Sequence, residues 1–107
     1  MINPYESIYR IFTRSEFFEF NKFKRFKGNQ LDLNSGFIHL SAKDQVQGTI
    51  EKYFNTEKEV FVVEFLISDL ENSLKWGKSR DSEKFPHYYG VLEFKLVKKV
   101  FKQEFRL

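Results

Sequence analysis

The apolar side chains of this sequence are mostly aromatic, and that constrains the core it can build. The chain carries 14 Phe, a single Met and no Cys in 107 residues. A short chain buries a smaller fraction of its surface than a long one, so each buried side chain must contribute more. A buried phenylalanine contributes on the order of 2 kcal/mol through its area alone. With 41% hydrophobic residues there is material for one core, and one domain over residues 1–107 is expected. The absence of cysteine excludes disulfides, thiolate metal sites and a cysteine nucleophile.

Local patterns divide the chain into elements. Ile8–Phe12 reads as a first strand, and Thr13 with Glu16 three residues later forms a capping box. The helix that follows carries Phe17, Phe18, Phe20 and Phe23 and should end near Lys24, with these rings mostly buried. Gly28-Asn29 opens a loop that runs to Asn34-Ser35-Gly36. Phe37–Leu40 is a short strand, after which Ser41 caps a second helix with Asp44 as a weaker partner. In that helix Val46, Ile50, Tyr53 and Phe54 form one apolar stripe, and Asn55-Thr56 stops it. Val60–Ile67 is rich in β-branched and aromatic residues and reads as the strongest strand. Ser68–Leu70 suggests a helical turn, Leu74–Gly77 a strand containing a buried Trp76, and Lys78–Pro86 a polar loop. Val91–Val100 and Phe101–Phe105 form one or two late strands. The order β-α-β-α followed by strands points to an α+β fold, a small split mixed sheet with two helices.

Charge and leader patterns narrow the setting. A net charge of +3 permits a phosphate-bearing ligand without requiring one. Met1–Glu6 lacks a charged segment leading into an apolar run, so no signal peptide is expected and the expected address is cytoplasmic. The longest apolar run, Val60–Ile67, is too short to cross a bilayer.

The residues with chemistry gather in Gly36–Ser41 and Phe85–Gly90. Strand alternation puts His39 and Ser41 on one face, roughly 6.5–7 Å apart, opposite Ile38 and Leu40. Ser41, at a helix start, either caps the helix or marks a niche for an anion. His39 is either a satisfied structural histidine or a ligand contact. His87, Tyr88 and Tyr89 follow Pro86, which stiffens the segment, and the tyrosines either complete the core or stack on a planar ligand. Arg80 is a solvated charge or a phosphate clamp. Asp32 makes an Asx-type turn or orients a histidine. The Lys22–Lys27 segment, basic residues around Phe23 and Phe26, reads as a solvated helix end, so nucleic acid is not the expected partner. Two histidines far apart in sequence offer no His-x-x-x-His metal spacing, and there is no glycine-rich phosphate loop.

Leu31–Ser41, the Lys75-Trp76 and Ser79-Arg80 pairs, Phe85–Gly90, Ile8–Ile11 and the Gln45…Thr49…Tyr53-Phe54 helix together resemble domain of unknown function 952, a bacterial family. The resemblance covers nearly the whole chain. It implies an ADP-ribosyltransferase-like fold, a split α+β sheet around an NAD cleft. It would make His39 the ribose ligand and Tyr88 or Tyr89 the nicotinamide stacker. The chain departs from the family at Gly77, where Glu is common, and at Lys24, where a helix-ending Gly is usual. A missing catalytic Glu would favour binding over transfer.

Three functions are therefore expected to compete. The first is a site for a small nucleotide-like ligand such as NAD or ADP-ribose, with or without altered transferase chemistry. The second is a phosphoesterase using His39 and His87. The third is a non-catalytic interaction module. Candidate site residues are Asp32, His39, Ser41, Arg80, His87, Tyr88 and Tyr89, with His39 and His87 expected within about 10 Å of each other, the span of one fragment in a ligand pocket.

Overall fold

The computed structural model of the protein describes residues 6–78 and 83–105. Its first strand, β1 (Ser7–Phe12), is buried from Ile8 to Phe12. Alternation sends Ile8, Arg10 and Phe12 to one face and Tyr9 and Ile11 to the other. Both faces are covered, which explains why apolar residues occupy both sides of the strand and makes Arg10 a cation inside the core.

Helix α1 (Arg14–Phe23) begins with the expected capping box: Thr13 accepts from the Glu16 N–H and Glu16 accepts from the Thr13 N–H. It ends at Lys24, whose φ of 62° is left-handed, a conformation that favours glycine. Strand β2 (Arg25–Phe26) follows, then α2 (Gln30–Ser35), β3 (Ile38–His39), β4 (Ser41–Ala42) and α3 (Val46–Tyr53). The remainder comprises β5 (Glu59–Leu66), the single turn α4 (Ile67–Leu70), β6 (Leu74–Lys78), β7 (Lys84–Tyr88), β8 (Leu92–Glu93) and β9 (Val97–Glu104).

The strands form a four-stranded sheet in the order β4-β1-β5-β9, a three-stranded sheet β3-β7-β6 and the pair β2-β8. The chain passes from the second sheet to the first at Leu40, whose N–H donates to the Pro86 carbonyl at 3.1 Å. One face of the larger sheet packs Ile8, Phe12, Val63 and Phe65 against Phe20, Phe26 and Ile38. The other packs Tyr9, Ile11 and Val62 against Ile50 of α3. Phenylalanine contacts dominate the first cluster, with Phe12 stacked on Phe20 at 5.2 Å and Phe17 on Phe61 at 4.5 Å. Trp76 is partly buried against it.

Several expectations need correction. Every pairing among the described residues is antiparallel, so the sheet is split but not mixed. There are four α-helices among them, not two. The expected loop from Gly28 to Gly36 contains α2, which has its own capping box between Asn29 and Asp32. The expected polar loop after Lys78 gives way to β7 at Lys84. Pro86 sits where the β3 ladder stops: its carbonyl accepts from the Leu40 N–H, and proline has no N–H to make the reciprocal bond. On α1, Phe18 and Phe23 are 52% and 64% exposed.

The helix face yields a paired expectation. Phe20 is fully buried, so Phe20→Ala should cost roughly 3–5 kcal/mol. Phe18→Ala, at an exposed position, should stay within about 1 kcal/mol. Urea unfolding of the two variants measures both values. Equal losses would show that α1 packs through a different face.

Candidate functional site

The site begins with Asp32 at the third position of α2. Asn29 Oδ1 accepts from the Asp32 N–H at 3.0 Å, and Asp32 Oδ2 accepts from the Asn29 N–H at 2.7 Å. A Cβ on residue 28 would come within 2.7 Å of the Asp32 Cβ, and Gly28 has φ of 116°, so glycine is required before this box. The other carboxylate oxygen, Oδ1, accepts from three donors. They are Arg10 Nη1 at 2.9 Å, the His39 N–H at 3.0 Å and His39 Nδ1 at 2.7 Å. Arg10 Nη1 also donates to the His39 carbonyl at 3.0 Å. Burial alone would raise the Asp32 carboxyl. The His39 hydrogen bonds and the Arg10 charge outweigh it and hold the group at about 2. The turn role and the histidine-orienting role of Asp32, alternatives in the sequence, are carried by its two different oxygens.

His39 thereby has Nδ1 engaged, while Nε2 has no hydrogen-bond partner among the described residues. Its side chain is 36% exposed. His39 and His87 are cross-strand partners in β3 and β7, and their rings lie 6.2 Å apart at 61°. His87 is 8% exposed and stacks on Phe37, with centroids 3.8 Å apart. Burial, then the neighbouring His39, lowers the His87 pKa. Tyr89 lies 5.5 Å from Phe37, and Lys75, opposite His87 in β6, places Nζ 5.6 Å from the Tyr89 ring. Phe37, His39, Lys75, His87 and Tyr89 thus make one imidazole-and-ring face of the small sheet.

The other candidates fall elsewhere. Ser41 does not cap a helix: it pairs with Tyr9 in the larger sheet, and its hydroxyl lies 3.2 Å from Thr49 Oγ1. The helical segment opens instead with a 3₁₀ turn, Lys43–Gln45, where Gln45 Oε1 accepts from the Ala42 N–H. The expected anion niche beside His39 is therefore not built, because the chain changes sheets between the two residues. Tyr88 pairs with Ile38 and Leu74 on the face opposite His87, packing on the core, so it cannot share the histidine face. Arg80 lies outside the described residues.

A recess of about 310 Å³ lies at the edge of this face, lined by Lys27, Asp32, Phe37, Ile38, Tyr88 and Tyr89 among others, and neither histidine lines it. Among the described residues no group of three or more His, Asp or Glu could hold a metal ion. Arg10, Phe37 and Lys75 are the site residues that sequence reasoning missed. An arginine between Ile8 and Phe12 on one strand face was the available signal for Arg10, since such a position needs a buried acid.

The Asp32 carboxyl sits below its ordinary 3.8, so its contribution is full above about pH 4 and is lost as pH falls through about 2. That linkage amounts to about 2 kcal/mol. Asp32→Asn should abolish this acid dependence and cost about 3–5 kcal/mol at pH 7, since Arg10 stays buried without its partner. Urea unfolding at pH 7 and pH 3 measures both. Unchanged stability in the variant would show that the pair does not hold the fold.

Two solved structures of protein CC0527 from Caulobacter crescentus resemble the chain. The X-ray structure is 35% identical and covers 90% of this chain and 84% of its own, with a TM-score of 0.83. The solution NMR structure is also 35% identical, covering 92% and 83%, with a TM-score of 0.78. No curated protein matches the chain. Residues 11–100 match the family described as Protein of unknown function (DUF952), and the chain belongs to that family.

Proposed function

We propose that the protein binds a small nucleotide-type ligand on the face shared by His39, His87, Phe37 and Tyr89. The observation that carries this reading is the 2.7 Å contact between His39 Nδ1 and Asp32 Oδ1. An ionised carboxylate only accepts, so Nδ1 carries its proton and Nε2 is the atom offered to a ligand. Nε2 accepts from a ribose hydroxyl when the ring is neutral and donates to an oxygen when the ring is protonated. Phe37 and Tyr89 supply ring faces for a base. Lys75 and Lys27 supply positive charge on the face and at the recess.

NAD and ADP-ribose belong to this ligand class, and the resemblance to the ADP-ribosyltransferase fold agrees with them. Gly77, standing where that resemblance has Glu, favours binding without the transfer step. His39→Ala should weaken AMP, ADP-ribose or NAD affinity at least about tenfold, a loss of about 1.4 kcal/mol. Its melting temperature should move little, since Asp32 keeps Arg10 and two backbone N–H donors. Isothermal titration paired with thermal unfolding reads both quantities. Absence of saturable binding to all three ligands, or affinity unchanged by the substitution, would overturn the reading.

A further inference from the structure

Ligand binding through His39 leaves His87 without a task. Its imidazole lies between the Phe37 ring, 3.8 Å away, and the bare backbone of Gly77. A Cβ at position 77 would meet Cε1 of His87 at 2.6 Å and Nδ1 at 2.7 Å, inside any real contact. Only glycine leaves room for this ring placement. Neither ring nitrogen has a hydrogen-bond partner among the described residues, and neither is among the buried, unpartnered polar atoms. The ring is clamped, yet its nitrogens reach the surface. Burial and the nearby His39 favour its neutral form, which keeps a lone pair ready for a proton.

His39 is the complementary partner. Its Nδ1 is fixed on Asp32, so it exchanges a proton through Nε2. With ring centroids 6.2 Å apart and roughly 3 Å of hydrogen-bond reach from each, one tetrahedral group can touch both imidazoles. Lys75 projects from the same face, opposite His87. The residues sharing that face on the three strands, Phe37, His39, Lys75, Phe85, His87 and Tyr89, include no carboxylate to repel an anion.

We propose that His39 and His87 form a general acid–base pair that hydrolyses a small phosphodiester, with a 2′,3′-cyclic nucleoside monophosphate as the matching substrate class. This rests on the nucleotide reading of the same face. A diester loses a sugar oxygen that must be protonated, while water must be deprotonated, so the reaction needs a base and an acid. His87 takes a proton from water as the water oxygen bonds to phosphorus. The bond from phosphorus to the 2′-oxygen breaks, and the proton on His39 Nε2 passes to that oxygen. The product is a 3′-monophosphate with a free 2′-hydroxyl. His87 then releases its proton to solvent and His39 regains one. Lys75 opposes the charge on the non-bridging oxygens, and Gly77 is a positioning residue for the His87 ring.

The test is hydrolysis of 2′,3′-cyclic AMP by the wild type, His39→Ala, His87→Ala and Gly77→Ala, with AMP titration of each. Wild-type turnover should follow a bell-shaped pH profile and fall at least about 100-fold in either histidine variant. His87→Ala should lose the acid-side limb of whatever turnover remains. Gly77→Ala should lose turnover while its melting temperature stays near that of the wild type. A wild type that binds AMP without turning over the cyclic ester overturns this proposal and leaves the binding reading standing. So does turnover that persists in His87→Ala. A wild type that binds none of AMP, ADP-ribose and NAD and has no turnover overturns both.

Discussion

The Asp32 carboxylate is the point on which the site depends. It receives Arg10 from β1, two donors from His39 in β3 and the Asn29 N–H at the head of α2. One charge therefore fixes three elements relative to one another. Burying an ion pair is a poor way to gain stability, since a well-packed apolar replacement is often as good or better. Arg10 is not even fully satisfied: its Nε is buried without a partner among the described residues, which costs about 1–3 kcal/mol. What the arrangement secures is orientation. A histidine ring hydrogen-bonded to a carboxylate, itself held by an arginine and a helix cap, has one tautomer and one direction.

Strand alternation distributes the remaining residues. On the small sheet Ile38, Trp76, Pro86 and Tyr88 turn toward one face, while His39, Lys75, Gly77 and His87 turn toward the other. The aromatic core thus supports the site from behind. A slip of one residue in β7 would exchange His87 for Tyr88 and dismantle both faces together. The cross-strand pair Ile38 and Tyr88 anchors the register in which the histidines meet.

The sequence revealed the parts whose information is local. The Thr13–Glu16 capping box and the β-branched Val60–Ile67 segment are signals carried within a few residues, and each appears in the structure close to the expected bounds; the α3 stripe packs through Val46, Ile50 and Phe54, while Tyr53, expected in it, is 46% exposed. The clustering of the two histidine motifs was legible as well, because both combined polar rings with stiff backbone. The missed helix α2 had a local signal, Asn29 three residues before Asp32, masked by the surrounding turn formers. Ser41 and Tyr88 were misplaced for a different reason. Which face a side chain takes depends on where the strand leaves one sheet for another, and the break at Leu40 is set by a partner 46 positions along the chain, the Pro86 carbonyl. Arg10 and Lys75 become site residues only through that long-range pairing.

The same break explains why His39 can be held rigidly near a surface. Its N–H donates to Asp32 and its carbonyl accepts from Arg10, so both sides of the residue's backbone are tied to the buried ion pair. The next residue is tied to Pro86, and Ser41 beyond it pairs with β1. The two-residue strand β3 is too short to be stable by its own ladder, and these four attachments replace the missing length. The ordering of this backbone belongs to folding, so a ligand meeting Nε2 need not order it again, which is how a preorganised donor or acceptor gains affinity. His87 reaches the same condition by packing instead of hydrogen bonding, wedged between Phe37 and Gly77. One imidazole is fixed by a charge and the other by contact.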